Sequence, residues 1–343
     1  MKKIVLSLAV CASVSFANEG LLDELGVSAF LSSESESILG EFGIPSKQEE
    51  SMLSVDAGMW YISWNQASTA SDMLKNASDA INTTYNIESS LAYVMKLNLK
   101  YKYLSWSTEY YNKASASSSA DEASGLNIGI SLLDYIPYIN VEMKYVKADF
   151  KGGINAIRAS DGATSDGSFA TTLNIADIII YPFNDYLGFG YRSYEYEVPQ
   201  DLYLIDNSDG TLAGISGIDD INYKGSFYTV VLDNKRIVDV KTNYNGLVYS
   251  ASYGIGKLSP TSTTNAALNK YYAESDAQYY DVLVGYAYKV KSKDSFDYGV
   301  TVGYRYNKIV TSANKASNSD NYSLITEFNT EFHGPIINLT LSY

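Results

Sequence analysis

The chain has one histidine, His333, in the run Glu331-Phe332-His333-Gly334-Pro335. An imidazole can act as a general base only with a nucleophile or activated water in hydrogen-bond reach and a third group to orient it. Serines and aspartates are spread along the whole chain, so spacing nominates no partner. The plain alternative is a solvated histidine in a turn before Gly-Pro. Carboxylates crowd residues 199–221, with Asp201, Asp206, Asp209, Asp219 and Asp220. A calcium site needs several oxygens at fixed spacing around a glycine turn. Asp206-Asn207-Ser208-Asp209-Gly210 does not keep that register, so a solvated acidic loop is expected and no metal. There is no glycine-rich phosphate loop before a helix and no G-x-S-x-G. These residues predict no cofactor and no catalytic set.

A second set of charged residues is more regular. Asp56, Glu142, Lys144, Arg192, Asp281, Lys289, Asp297 and Arg305 fall on the polar face of segments that alternate with period two. In 296–307 one face carries Phe296, Tyr298, Val300, Val302, Tyr304 and Tyr306, and the other Asp297, Gly299, Thr301, Gly303, Arg305 and Asn307. In 280–291 the apolar face is Tyr280, Val282, Val284, Tyr286, Tyr288 and Val290. Each run has the ~9–11 residues that cross a hydrocarbon layer as a tilted strand. Confining charge to one face is what a barrel wall requires, with lipid outside and a polar lumen within. Residues 126–132, 139–145 and 247–256 alternate in the same way, and weaker alternation marks 54–64, 89–98, 101–112, 168–180, 186–198 and 222–233. In 186–198 the phase slips between Tyr191 and Tyr194, which predicts a bulge or a strand end beyond the membrane.

The last ten residues alternate again. Ile337, Leu339, Leu341 and Tyr343 share one face, and Ile336, Asn338, Thr340 and Ser342 the other. A final strand of this kind suits closure onto the first strand of a barrel in lipid. Short connections are expected near 98–100, 134–137, 182–185 and 292–295, and long polar ones at 65–88, 113–123, 151–167, 199–221, 259–277 and 311–331. This reads as an antiparallel up-and-down transmembrane β-barrel of about twelve strands, with ten or fourteen left open by the awkward stretch 233–246. Residues 321–331 could also be the raised part of the last hairpin. An even count returns the carboxy-terminus to the periplasm, where an assembly machinery could read the last strand.

The amino terminus agrees with this. Lys2 and Lys3 precede a short apolar run from Ile4 to about Val14, and Ser15 and Ala17 fit a small-residue cleavage site, so residues 1–17 read as a signal peptide. A lipoprotein box ending at Cys11 is the alternative. Cleavage after Ala17 would remove Cys11, the only cysteine, and exclude disulfides and thiolate chemistry. It would also remove Lys2 and Lys3 and take the net charge from −14 to −16. With no basic run, this charge argues against a nucleic-acid partner. No other stretch is long and apolar enough for a membrane helix. The 32 tyrosines suit a membrane interface, where the ring is buried and the hydroxyl is wet. A secreted β-sandwich would also alternate, but with shorter strands and polar outer faces. Residues 18–52 lack the alternation and are acidic and serine-rich, which predicts an amino-terminal periplasmic extension, with a plug or partner-binding segment as the sharper reading. The barrel is expected over 53–343.

Three segments carry a resemblance. Val55-Asp56-Ala57-Gly58-Met59-Trp60, Leu133-Asp134-Tyr135-Ile136-Pro137-Tyr138-Ile139, and Val302-Gly303-Tyr304-Arg305-Tyr306 with the Gly334-Pro335 strand resemble a family of largely uncharacterised, porin-like outer-membrane β-barrels of Gram-negative bacteria. The resemblance covers most of 53–343 and implies fold and bacterial outer-membrane location; it transfers no substrate and no catalytic residue. The inward charges leave two readings open. They line a water-filled channel for small solutes, or they pair and fill a narrow barrel that acts as a structural or surface-interaction protein. An outer-membrane hydrolase using His333 is a third.

Overall fold

The structure, a computed structural model, describes residues 52–70, 81–113, 122–136, 139–158, 164–182, 186–198, 203–205, 212–214, 221–241, 243–263, 269, 274–291, 296–312 and 325–342. The strands are β1 (Met52–Ala70), β2 (Ile81–Tyr101), β3 (Leu104–Lys113), β4 (Glu122–Ile136), β5 (Ile139–Arg158), β6 (Thr164–Pro182) and β7 (Leu187–Val198). They continue as a small hairpin of β8 (Tyr203–Ile205) and β9 (Leu212–Gly214), then β10 (Ile221–Asp233), β11 (Tyr244–Ser262), β12 (Ser275–Val290), β13 (Asp297–Ser312) and β14 (Ile325–Ser342). One short helix, α1 (Lys235–Asp239), joins β10 to β11.

Twelve strands, all but β8 and β9, form one antiparallel sheet that closes through β1 with β14 and β1 with β2. Closure pairs every wall strand on both sides, which lipid demands because it offers no hydrogen-bond partners to an edge. At the closing seam Val55 opposes Leu341 and Met59 opposes Ile337. Gly334 of β14 takes φ +154° there, and a Cβ at this position would run into the Tyr61 carbonyl oxygen. The β3–β4 hairpin is short. Beyond it β2 pairs directly with β5, from Asn86 opposite Gly153 to Ile81 opposite Arg158. Without β3 and β4 the ring of twelve becomes a ring of ten towards the long loops.

The strands overrun the expected segments. β1 continues to Ala70, β5 to Arg158 and β11 to Ser262, and β14 starts at Ile325, so the expected long connections shrink. These extensions are rich in Ser, Thr, Asn and Gly, which carry no apolar alternation, yet their ladder bonds continue. The first short turn falls at Lys102-Tyr103, with Lys102 at φ +53°, rather than at 98–100. The stretch 233–246 holds α1, so the strand count is twelve. There is no bulge in β7: its register with β6 and β10 is continuous across Tyr191 and Tyr194. His333 lies inside β14 rather than in a turn. Residues 1–17, the acidic residues named in 199–221 and all of 18–52 except Met52 lie outside the described residues.

Around the outside, apolar side chains form a band at the short-turn end. Leu339 is 62% exposed, and Leu341, Tyr298, Tyr286, Ile255, Phe189 and Met143 also project outward. In water these residues would be costly, at roughly 25 cal/mol per Å² of apolar surface; in hydrocarbon they are at home. Above this band the outward positions turn polar, as at Ser193, Glu195, Lys224 and Lys257. A closed barrel with a lipid-facing belt and aromatic rims places the chain in the bacterial outer membrane.

Candidate functional site

The lumen holds the chemistry. In the half encircled by the apolar belt, inward charges are paired, some across the bore and some between neighbouring positions of the wall. Arg305 of β13 donates to Glu109 of β3 at 2.6 Å and lies over the Trp60 ring, its guanidinium carbon 5.2 Å from the centroid. Lys144 of β5 reaches Asp233 of β10 at 3.3 Å and Glu142 at 3.0 Å, and the Tyr181 hydroxyl donates to Glu142 at 2.9 Å. Arg192 grips Asp177 with two bonds, 2.6 Å from Nε and 2.5 Å from Nη2, and stacks on Tyr279 at 3.8 Å. Its distance to Asp281 is 3.9 Å. Two-point guanidinium–carboxylate pairs are the strong, geometrically specific kind.

The α1 connection folds back into this ionic layer. Asp239 takes Lys96 of β2 and, at 2.7 Å, Lys235 one turn before it. Lys289 of β12 donates to the Val238 and Asp239 carbonyls at 2.8 and 3.2 Å, satisfying carbonyls that a helix end leaves open. Arg236 lies 4.0 Å over the Tyr181 ring. Val238 packs on Val248 and Ala287, and Asn234 ties the connection to β11 through the Leu247 carbonyl (2.8 Å) and the Tyr249 amide (2.7 Å). Burial alone would raise the Asp239 carboxyl, but the Lys235 and Lys96 ammonium groups outweigh it and hold the group below the usual carboxylate range. The charge therefore persists through neutral pH.

Towards the long loops the interior changes character. Trp60, Trp64, Phe150, Tyr194, Tyr196, Phe227 and Phe328 belong to one buried apolar cluster. Its contacts also cross the barrel. Tyr223 of β10 stacks on Phe328 of β14 at 4.2 Å and the Tyr196 hydroxyl of β7 donates to Gln66 of β1 at 2.6 Å, while Trp64 of β1 stacks on Phe150 of β5, two strands along the wall, at 5.3 Å. Between this core and the ionic layer lies a chamber of about 210 Å³, lined by side chains of both.

Of the charged residues singled out from sequence, Glu142, Lys144, Arg192, Asp281 and Arg305 line this chamber. Asp56 and Lys289 sit lower, beside α1. Asp297 stands at the short-turn rim, opposite Ser342 in register, and is not part of the chamber. Sequence reading missed their partners Lys96, Glu109, Asp177, Asp233 and Asp239. The first three lie on inward positions of weakly alternating strands, where a charge of opposite sign on the polar face was the available signal. Asp239 belongs to 234–240, Asn-Lys-Arg-Ile-Val-Asp-Val, which has no Gly or Pro turn signal and so had no reason to be a tight turn.

His333 is outside the lumen. It faces outward at the upper edge of the apolar belt, with Nδ1 2.8 Å from the Tyr304 hydroxyl and Nε2 3.9 Å from Glu331. Among the described residues, no group of His, Cys, Asp and Glu side chains is placed to hold a metal ion.

No family model matches the chain, and no curated protein matches it. Solved structures of outer-membrane barrels align with most of it. The outer membrane protease OmpT from Escherichia coli is 10% identical, covering 85% of this chain and 96% of that one, with a TM-score of 0.31. A Pseudomonas aeruginosa FadL homologue is 11% identical, covering 86% and 90%, with a TM-score of 0.22. Pseudomonas aeruginosa OpdQ is 12% identical, covering 85% and 98%, with a TM-score of 0.25. At these values the likeness assigns no activity.

Proposed function

We propose that this protein is a non-enzymatic outer-membrane barrel that is closed at rest and holds small solutes in an internal chamber, rather than an open porin-like channel. The observation that carries this reading is bridging across the lumen at two heights. Below the chamber the Arg305–Glu109 and Lys144–Asp233 pairs and α1 cross the bore; above it the Tyr223–Phe328 and Tyr196–Gln66 contacts do. A wide, hydrated pore needs inward charges that face water, whereas here all but one of the chamber's carboxylates face a cation. The position of His333 on the outer face, beside a phenol, supports a non-catalytic role. Its partners are outer-membrane lipid around the belt and the barrel-assembly machinery, for which the closing strand β14 is the readable element.

Planar-bilayer recording tests the closure. Refolded barrel is expected to insert without steady conductance. A steady, ohmic current from each inserted barrel would overturn the reading.

A further inference from the structure

Six carboxylates line the chamber, and five of them have a cationic nitrogen within 3.3 Å. Asp281 is the exception. Its nearest cation among the described residues is Arg192 at 3.9 Å, and Arg192 is already committed to Asp177 by two short bonds. The Asp281 side chain is 47% exposed, while Asp177 and Glu109 are 4% and 6% exposed. The Tyr279 hydroxyl bonds to Asp281, but no cation neutralises it at short range, and a carboxylate has acceptor capacity beyond one hydrogen bond.

Its neighbours suit one kind of donor. In register, Asp281 lies between Ser252 on β11 and Asn307 on β13, and all three line the chamber. The Ser252 hydroxyl oxygen is buried with no hydrogen-bond partner among the described residues. Asn307 is held by the Tyr279 hydroxyl, whose ring also carries Arg192. A carboxylate and a spare hydroxyl side by side match the three donors of a primary ammonium. A metal ion would need more oxygens than this row supplies, and the chamber is larger than an ion requires.

We propose that Asp281, flanked by Ser252, binds a compact organic cation through its primary ammonium group inside the chamber. This deepens the closed-barrel reading and rests on it. The carboxylate takes the charge, Ser252 accepts a second N–H, and the cation's carbon body lies against the aromatic and aliphatic lining above. A net anion would meet Asp281 with like charge, and a neutral alcohol would leave it uncompensated.

The test is equilibrium dialysis of full-length mature barrel, folded in non-ionic detergent, against radiolabelled 1,4-diaminobutane. Wild type is expected to saturate at one ligand per barrel. Asp281→Asn should weaken binding about tenfold or more, as loss of a charge-assisted bond implies, and Ser252→Ala less. Asp281→Glu should keep binding within a few-fold, and 1,4-butanediol should not compete. Heat-modifiable migration in gels confirms that each variant is folded. Equal binding by wild type and Asp281→Asn, competition by the diol, or no saturable binding would overturn the proposal. Closure is read separately by conductance: Asp281-dependent binding by a barrel that conducts steadily would remove the closure alone.

Discussion

If α1 is a latch held by the Asp239–Lys96 pair, Asp239→Asn must loosen it by a calculable amount. Lys96 has a side chain 4% exposed, so removing the Asp239 charge leaves a buried ammonium without its partner. Breaking a buried pair in this way costs about 3–5 kcal/mol. Asn retains one acceptor, and Asp56 stands beside Lys96 in register, so the lower figure applies. About 3 kcal/mol is roughly two decades in an equilibrium, so the outward population of α1 should rise about a hundredfold. Val238 offers the readout. It is 2% exposed and packs on Val248 and Ala287, and the only natural cysteine, Cys11, precedes residue 18. A barrel expressed from residue 18 with Val238→Cys therefore carries one thiol, sealed unless α1 leaves. Maleimide labelling of Val238→Cys should be slow, and should accelerate about a hundredfold when Asp239→Asn is added. A change smaller than about threefold, in barrels that remain folded, would show that the ion pair does not hold the helix.

Further outcomes follow from the wall and the upper core. Leu339 faces lipid in the belt, so Leu339→Arg should lower the unfolding free energy in bilayers by about 2–4 kcal/mol, measured by urea titration; no loss would move the belt elsewhere. Phe328 touches Tyr196 and Tyr223 across the bore, and Phe328→Ala should cost about 3–5 kcal/mol in the same titration. Gly334→Ala puts a Cβ against the Tyr61 carbonyl at φ +154°, so the closing seam should fail and the heat-modifiable band should be lost; normal folding would deny that strain.

The wall was legible in the sequence because lipid imposes a rule on every second residue. Val282, Val284, Tyr286 and Tyr288 all project from one face, and no charge interrupts them, so the face and its length could be read directly. The interior was only half legible. That Lys144 and Asp281 point inward follows from parity, but that Lys144 finds Asp233 on β10 depends on how far the barrel is across. Period two says which side a residue faces and nothing about what stands opposite. The connection at α1 was illegible for a related reason. Asn-Lys-Arg-Ile-Val-Asp-Val is polar enough for a surface turn, and only the bore beside it, offering Lys96 and Lys289 to one end and Tyr181 to Arg236, makes it an internal helix.

The phase slip in β7 shows how one strand can encode both halves. Phe189 and Tyr191 point outward and are exposed, whereas Tyr194 and Tyr196 point inward and are buried, along a ladder with no irregularity. The backbone parity never changes; the parity that carries the aromatic residues does. The same inversion appears in β5, where outward Met143 gives way to outward Lys147, and inward Glu142 gives way to inward Phe150. In β14, outward Leu339 and Leu341 are followed upward by outward Glu331 and His333, while inward Thr340 gives way to inward Phe328. Each strand therefore runs through two solvents. In lipid the outside is apolar and the inside can be ionic, because paired charges in the bore are screened from hydrocarbon by the wall. Beyond lipid the outside meets water, and the strands can hold together only by burying an apolar interior, as a soluble barrel does. Losing β3 and β4 at that height narrows the ring to ten strands, which brings Tyr223 within stacking distance of Phe328. The closure above the chamber is then a requirement of the projecting barrel's stability, whereas the closure below it rests on ion pairs around a five-residue helix. Of the two seals, the α1 side is the one that a change in a few charges can open.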